Sequence, residues 1–341
     1  MDVGKLLQNK LKNRYANNLP YDDTRVRLQT LNNDSYSDYI NANYVQGVIA
    51  GRRYIATQGP KDENDCTITD FWRMVFEQDV NVIVMVANFI EKEVVKVGRY
   101  FDRNESVFLD DVGGQVDVVD FQVTPFGVVS KIQVTLRLDG VEETRLVHHY
   151  QYTGWPDHSV PGETRNLTEM IRSIATNHEQ FCAVVHCSAG IGGTGTVIYD
   201  LLCYDHLMYN KQVDFISVLE HLRQSRARLI ENQAQFKLSL QLFDEIIHDH
   251  THVISASELN DKLQDVLICC GVQFEKLQRM GSRLTFVNAK DPQNSSFNRS
   301  QDILPADSQR VYFQDHNNET PYINAVRVTG LLTTAEIIVT E

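Results

Sequence analysis

The 341-residue sequence lacks the features that mark several specialised classes of protein. No run of 18 apolar residues occurs, and the N-terminal segment MDVGKLLQNKLKNRY has no apolar core of signal-peptide length. The sequence therefore predicts neither a membrane span nor a secretory leader. A composition of 42% hydrophobic and 23% charged residues is typical of globular proteins and excludes disordered, collagen-like and coiled-coil chains.

Positive charge is scarce. The chain has 32 Lys and Arg residues against 45 Asp and Glu residues, a formal net charge of −13. This balance disfavours binding to nucleic acid or to an anionic membrane surface, so neither partner is expected. A local basic pocket could still hold an anion.

Cysteine pairs suited to metal or disulfide chemistry are also missing. The six cysteines include no C-x-x-C pair, and the adjacent Cys269 and Cys270 are poorly placed to chelate one ion, so no metal site is expected. A chain of this size does not need disulfides to fold. Free thiols indicate a reducing compartment, which predicts a cytoplasmic location.

An internal repeat is the main large-scale feature that is present. The motifs NRY, LPYDDTRVRL and YINANYVQG of residues 13–47 recur as NRS, LPADSQRVYF and YINAVRVTG in residues 298–330. The copies are offset by 285 residues, so the chain is too short for two full copies. We therefore expect a complete first domain and the truncated start of a second one.

Hydrophobic periodicity predicts a mixed α/β or α+β fold. Short apolar runs at 80–87 and 181–187 indicate buried strands, and the alternation at 131–138 indicates a half-buried strand. Helical patterns follow at 63–78, 163–177, 194–209, 213–224, 233–249 and 257–280. Thr164 is a suitable first residue for the helix at 163–177.

The segment VVHCSAGIGGTGTVIYDLL, residues 184–202, has the composition of an anion site. A buried strand ends at His186, a glycine-rich loop follows, and a helix is predicted to begin near Thr194. Such a turn directs successive backbone N–H groups and the positive end of a helix dipole at one point. These groups would stabilise a thiolate at Cys187, which could attack a phosphoryl group. The alternative is an inert buried cysteine before a tight turn.

Several ordered motifs resemble those of the protein tyrosine phosphatases, in particular the first of the tandem intracellular domains of the receptor type. The motifs are KNRYANNLPYDDTRVRL (12–28), SDYINANYVQG (37–47), YIATQGP (54–60), FWRMV (71–75), WPDHSVP (155–161) and HCSAGIGGTG (186–195). The resemblance implies a highly twisted mixed β-sheet flanked by helices. It also implies a phosphatase domain over residues 1–252, and a helical connector with the start of a second phosphatase-like domain over residues 253–341.

The resemblance also implies the site residues, with no metal and no cofactor. Cys187 matches the nucleophile and Asp157 the general acid on a mobile loop. The matching substrate-binding positions are Tyr15, Ser188, Ala189, Gly190, Ile191, Gly192, Gly193, Thr194 and Gln235. The implied partners are phosphotyrosine-containing proteins, together with docking to another phosphatase domain. The chain would lie in the cytoplasm, on its own or as the cytoplasmic part of a receptor-type protein.

Further positions match supporting roles. Tyr15 corresponds to the aromatic wall of the pocket, and Asn17 fits the receptor-type version of that loop. Thr194 corresponds to a hydroxyl that assists departure of the thiolate, and Arg226 to a residue that braces the cysteine loop from behind. In the second copy Ser300 stands where the first copy has Tyr15, so no active site is expected there.

The sequence departs from the family pattern at the residue that grips phosphate. The signature is H-C-x-x-x-x-x-R, and Gly193 stands in the place of that arginine, which binds two phosphoryl oxygens at once. Glu91 matches the acidic partner of the missing arginine, so its charge is expected to be uncompensated. Glu231 occupies the place of a water-orienting glutamine, where a carboxylate would repel a phosphate dianion. The run Arg99 to Asp102 replaces a tyrosine-tryptophan-proline run, which we interpret as a local packing change.

Two functional hypotheses remain open from the sequence. The first is a protein tyrosine phosphatase with weakened turnover, which the intact Cys187 and Asp157 favour. The second is a non-catalytic module that binds phosphotyrosine or pairs with an active phosphatase, which Gly193 and Glu231 favour.

Overall fold

The computed structural model describes residues 1–31, 33–62, 67–138, 140–156, 159–248, 284–312, 322–329 and 336–340. The chain divides into two compact units, Met1–His250 and Thr251–Glu341. The predicted helix at 257–280 lies outside the described residues. Among the helices that are described, none combines the length and the apolar character needed to cross a bilayer.

A nine-stranded mixed sheet is the framework of the first unit, in the order β1-β2-β3-β11-β4-β10-β9-β8-β7. The strands of the first unit are β1 (Arg25–Arg27), β2 (Tyr39–Gln46), β3 (Arg52–Thr57), β4 (Val82–Met85), β5 (Ile90–Glu91), β6 (Val94–Val95), β7 (Val107–Leu109), β8 (Gly114–Thr124), β9 (Gly127–Leu138), β10 (Val141–Tyr152) and β11 (Phe181–His186). Strands β5 and β6 form a separate hairpin.

Seven α-helices accompany these strands in the described part of the first unit. They are α1 (Asp2–Lys5), α2 (Leu7–Lys10), α3 (Ile68–Glu77), α4 (Arg165–Asn177), α5 (Gly192–Asn210), α6 (Phe215–Ser225) and α7 (Gln233–His248), with a 3-10 turn at Asp110–Val112.

The centre of the sheet is parallel and buried on both faces. Strands β3, β11, β4 and β10 run parallel, with antiparallel strands on either side. Successive residues of β4 point to opposite faces. Val82 and Val84 pack in a core with α4 to α7, while Ile83 and Met85 pack in a core with α3. This double coverage explains the continuous apolar runs in β4 and β11.

The predicted elements that lie within the described residues form, with different ends. The strand predicted over 80–87 is limited to Val82–Met85, and the alternating segment at 131–138 belongs to the longer β9. The helix predicted over 63–78 is described from Ile68, and residues 63–66 lie outside the described part. Thr164 is the N-terminal flanking residue of α4, as predicted, but its hydroxyl donates to Glu245 on α7 instead of capping the helix.

The correction that matters for the site concerns α5. The sequence placed its start near Thr194, whereas the helix begins at Gly192. Gly193 and Thr194 therefore belong to its first turn. Glycine is a weak helix former, so propensity alone could not place this boundary.

The second unit reproduces the opening of the first. Its described elements are a 3-10 turn at Ser295–Phe297 and two antiparallel strands, β12 (Ala325–Thr329) and β13 (Glu336–Thr340). Tyr39 Oη donates to Asn13 Oδ1 over 2.5 Å in the first unit, and Tyr322 Oη donates to Asn298 Oδ1 over 2.6 Å in the second.

Further hydrogen bonds repeat at the same spacing. Asp22 accepts from the backbone N–H groups of Asp2 and Val3, and Asp307 accepts from those of Val287 and Asn288. The sequence repeat is therefore a structural repeat at the level of individual hydrogen bonds.

Candidate active site

Cys187 lies immediately after the central strand β11, at the start of a tight loop. The backbone N–H of Gly190 donates to Cys187 Sγ over 3.3 Å. Gly190 has a φ of +71°, and a Cβ at this position would lie 2.3 Å from Thr57 O. Only glycine can adopt this positive φ and approach Thr57 O so closely. The loop therefore requires glycine at position 190 in order to direct its N–H toward the sulfur.

The loop leads directly into α5, whose positive end faces the same region. Gly192 and Gly193 occupy the first turn, so their N–H groups have no acceptor within the helix. The Thr194 hydroxyl is buried and makes no hydrogen bond within the described residues. Together with Gly190 N–H, these donors give the loop the chemistry of an oxyanion site.

Arg226 braces this loop from behind, where the sequence placed it. The side chain is 1% exposed; its Nε donates to Gly190 O over 2.9 Å, and its terminal nitrogens donate to Asn43 Oδ1 and Asn41 Oδ1. Burial lowers the pKa of the Arg226 guanidinium to about 10, so the group remains charged at neutral pH. This cation is occupied by fixed acceptors and does not face the open side of the loop.

Tyr15 stands at the edge of the loop. Its hydroxyl lies 3.0 Å from Ser188 Oγ, which in turn donates to Lys96 O, and the ring is more than a third exposed. Asn17 lines a small cavity together with Ile191 and Arg228. The structure thus brings Tyr15 to Ser188 and Asn17 to Ile191, although the members of each pair are far apart in sequence.

Gln235 reaches the loop from the start of α7. Its Oε1 accepts from Glu231 N over 2.8 Å, and its Nε2 would lie 2.6 Å from a Cβ at Gly192. Gln235 is 6% exposed, so its amide is fixed beside the first turn of α5.

The Glu231 carboxylate, which was expected to repel phosphate, forms an ion pair with Arg228. Its Oε1 accepts from Arg228 over 2.7 Å, and Arg228 also donates to Asn18 Oδ1 over 3.0 Å. Arg228 adopts a φ of 62°, a conformation that a non-glycine residue rarely takes. The expected repulsion of phosphate by Glu231 is therefore offset by a neighbouring cation.

The place of the missing arginine side chain is partly filled. A Cβ at Gly193 would lie 3.0 Å from Val86 Cγ1 and 3.5 Å from Trp155 Cδ2. Glu91, the residue that matches the partner of that arginine, accepts from Asn88 N over 3.4 Å and has no ion pair within the described part of the chain. The uncompensated charge predicted for Glu91 is consistent with this arrangement.

The predicted general acid Asp157 lies outside the described residues. The described part of its segment ends with Trp155 and Pro156, and Trp155 packs against the core that contains α5. The roles assigned to Asp157 and to the other site residues stay predictions.

Cys187 differs from the other described thiols. Burial raises the pKa of Cys182 to about 11 and that of Cys203 further above its usual range. Cys187 is half-buried at the cradle of N–H groups, whereas Cys182 and Cys203 are buried in the core. No group of metal-ligating side chains occurs among the residues that the structure describes.

Sequence reasoning missed a buried cluster beneath Cys187. The Tyr100 hydroxyl lies 2.6 Å from His149 Nε2 and 2.8 Å from His186 Nε2. Tyr100 belongs to the run that we interpreted as a packing change, and His149 is in a strand with no motif. The sequence did offer a signal, because Tyr100 keeps the tyrosine of the tyrosine-tryptophan-proline run. Only the fold shows that this tyrosine contacts the two histidines.

Comparisons with known proteins agree with this geometry. The sequence model of the family "Protein-tyrosine phosphatase" matches residues 9–245 and 294–341. The chain is 33% identical over 317 residues to the receptor-type tyrosine-protein phosphatase C of Rattus norvegicus, covering 89% of this chain and 24% of that protein.

Two further relatives match nearly the whole chain. The receptor-type tyrosine-protein phosphatase alpha of Homo sapiens is 30% identical over 344 residues, 95% of this chain and 42% of the relative. The tyrosine-protein phosphatase Lar-like of Caenorhabditis elegans is 31% identical over 353 residues, 98% of this chain and 15% of the relative. The chain thus spans less than half the length of each of these relatives. With the cysteine loop, the sheet and these matches in agreement, the chain belongs to the protein-tyrosine phosphatase family and resembles its receptor-type members.

Proposed function

We propose that the protein hydrolyses phosphotyrosine in proteins through a phosphocysteine intermediate, at a rate reduced by the glycine at 193. The observation that carries this proposal is the Gly190 N–H directed at Cys187 Sγ beside the first turn of α5. This N–H donates to the sulfur, and together with the free N–H groups of the first turn of α5 it suits the oxygens of a phosphoryl group.

The residues divide the reaction between them. Tyr15 would flank the aromatic ring of the substrate while the N–H groups of the loop hold the phosphoryl oxygens. Cys187 Sγ would attack phosphorus and form the S–P bond, as the bond from phosphorus to the tyrosine oxygen breaks. Asp157 would protonate that oxygen, and the departing product is tyrosine.

The second step returns the free enzyme. A water molecule, oriented by Gln235, would attack the phosphocysteine and give a proton back to the Asp157 carboxylate, as the S–P bond breaks to release inorganic phosphate and the thiolate. The buried Thr194 hydroxyl, which has no hydrogen bond among the described residues, is available to donate to the departing sulfur.

The missing arginine determines how far the rate of turnover is expected to fall. Groups that stabilise charge in a transition state contribute roughly 3–6 kcal/mol, which corresponds to about 10²–10⁴-fold in rate. Gly193 keeps its N–H but supplies no charge, and Arg226 is held behind the loop by other acceptors. We therefore expect slow turnover that still depends on Cys187.

The second candidate function is a module that binds phosphotyrosine without turnover, or that docks on another phosphatase domain. The restricted space at Gly193, where an added Cβ would lie 3.0 Å from Val86 Cγ1, favours this alternative. Binding would then rest on the loop N–H groups and the wall at Tyr15.

A turnover assay with a phosphotyrosine analogue separates the two functions. We expect slow hydrolysis by the natural protein, none by Cys187→Ser, and no gain for Gly193→Ala. Because a side chain at 193 meets Val86, arginine should be introduced alone and together with Val86→Ala. We expect the better of these two variants to gain about 10²–10⁴-fold.

Each outcome has a definite meaning once thermal melts show that the variants are folded. Turnover absent from the natural protein at high enzyme concentration, with retained affinity for a phosphotyrosine peptide in calorimetry, would establish the binding function. Turnover that neither arginine variant raises would show that the defect lies elsewhere than position 193.

The partners and location follow as part of the proposal. We infer that phosphotyrosine-containing proteins are the substrates and that another phosphatase domain is a docking partner. The half-buried Cys187 thiol, whose proposed role requires reducing conditions, and the likeness to receptor-type phosphatases support a cytoplasmic location, on its own or as the cytoplasmic part of a receptor-type protein.

A further inference from the structure

Three aromatic side chains form a hydrogen-bonded chain beneath the cysteine loop. Tyr100, His149 and His186 are each fully buried, from the segment after β6, from β10 and from the end of β11 respectively. Tyr100 Oη is within 2.6 Å of His149 Nε2 and 2.8 Å of His186 Nε2, and His186 Nδ1 is 3.1 Å from Cys187 O. The chain therefore ends on the backbone of the nucleophile.

The direction of each bond follows from counting protons. A carbonyl oxygen only accepts, so His186 Nδ1 must carry a proton for its bond to Cys187 O. In neutral His186 the Nε2 is then an acceptor, and the single hydroxyl proton of Tyr100 must point to it. Tyr100 Oη can accept from His149 only if His149 Nε2 carries a proton.

Electrostatics supports neutral histidines in this chain. Burial lowers the pKa of His186 to about 4, and Arg14 disfavours its charged form further. Burial also lowers the pKa of His149 well below its usual range, with His186 and Arg103 acting in the same direction. Burial raises the pKa of the Tyr100 phenol, which therefore keeps its proton.

One other acceptor competes for the Tyr100 proton. Met85 Sδ lies 3.7 Å from Tyr100 Oη, but a thioether accepts weakly compared with an imidazole nitrogen. The donation from His149 strengthens the choice of His186, because a hydroxyl that accepts a hydrogen bond becomes a better donor. His149 Nδ1, the remaining nitrogen, makes no well-aligned hydrogen bond within the described residues, and the backbone carbonyl of His149 itself competes with Tyr100 Oη for the imidazole proton.

We propose that His149 is a positioning residue of the site: by donating to Tyr100 it fixes the His186 tautomer that holds the Cys187 carbonyl. The consequence for function rests on the proposed role of Cys187 as nucleophile. Without the His149 donor, the Tyr100 hydroxyl can rotate to accept from His186, whose other tautomer leaves Cys187 O without its N–H. The loop that presents Cys187 Sγ to Gly190 N would then lose its anchor.

The test uses the intact chain and two readouts that need no turnover. In ¹⁵N-histidine spectra, the natural protein should show His186 protonated at Nδ1 and His149 at Nε2. The second readout is the rate at which iodoacetamide alkylates Cys187 as a function of pH, with Cys187→Ser giving the background of the other thiols.

Three variants separate positioning from simple structural damage. His149→Leu removes the donor, and we expect mixed His186 tautomers and alkylation about two- to tenfold slower near neutral pH, the size of one lost hydrogen bond. His149→Gln retains an N–H donor and should restore both readouts in large part. His148→Gln is the matched control, because His148 immediately precedes His149 on β10 and lies against His178 instead.

Two results would overturn the proposal. One is a natural protein in which His186 carries its proton on Nε2. The other is a folded His149→Leu protein whose His186 tautomer and alkylation profile equal those of His148→Gln. Neither result depends on hydrolysis, so failure here is distinguishable from failure of the proposed phosphatase activity.

Discussion

Replacement of Arg226 by lysine should reveal how much the cysteine loop depends on a buried cation. The guanidinium donates to Gly190 O, Asn41 Oδ1 and Asn43 Oδ1 at 2.8–3.0 Å, and all of these groups are inside the protein. A lysine ammonium is a compact charge without the planar fork, so it cannot reach three separated acceptors from one stem.

The expected loss of stability can be worked out from these contacts. Lysine would leave at least two buried acceptors unpaired, and each costs about 1–3 kcal/mol. The charge itself would stay buried, so no desolvation free energy is recovered. The free energy of unfolding should therefore fall by about 2–6 kcal/mol.

Urea unfolding followed by tryptophan fluorescence measures this loss. Arg137→Lys is the matched control, because Arg137 is 61% exposed and pairs with Glu142 on the surface, so its change should stay within about 0.5 kcal/mol. Alkylation of Cys187 in the folded Arg226→Lys protein should also slow down, since Gly190 would lose its brace. A loss below about 1 kcal/mol, or one equal to that of Arg137→Lys, would refute the reasoning.

Two further predictions concern buried polar groups away from the loop. Asp200 on α5 is fully buried, and neither carboxylate oxygen makes a well-aligned hydrogen bond within the described residues. Burial raises its pKa well above the usual value, although the nearby Ser239 hydroxyl acts in the opposite direction, so the folded state keeps a proton that the unfolded state releases above about pH 4. The stability that this proton supplies is present in acid and is lost as pH rises, so Asp200→Asn should be more stable than the natural protein at pH 7 and show a shallower decline from pH 4 to 7 in thermal melts; equal slopes would contradict this. Asn13→Ala removes four hydrogen bonds that connect Tyr39, Asn41, Gly4 and Asn9, and should cost about 2–4 kcal/mol in urea unfolding, whereas a cost under 1 kcal/mol would show that these bonds contribute little.

The elements with strong local signals were predictable. The apolar run at 181–187 indicates a buried strand without any tertiary information. In the structure it forms β11, whose residues are mostly apolar because helices cover both faces of the sheet at this strand. The first and last residues of an element were harder to predict where the helix propensity of the residues disagrees with the conformation they adopt in the fold. Helix α5 begins at Gly192 although glycine disfavours helices, because Gly190 and Gly192 must approach Thr57 and Gln235 closely.

The amino-acid sequence by itself indicated the family, predicted Cys187 as the nucleophile and revealed the absent arginine, because each is a matter of residue type at a fixed spacing in a motif. Tertiary structure alone decided how the residues around that loop act on it. It paired Glu231 with Arg228, placed Val86 and Trp155 next to Gly193, and connected His149 through Tyr100 to the cysteine loop. The physical reason is distance: hydrogen bonds and ion pairs act over about 3–4 Å, and residues far apart in the chain come within that range only when the sheet and its helices pack together.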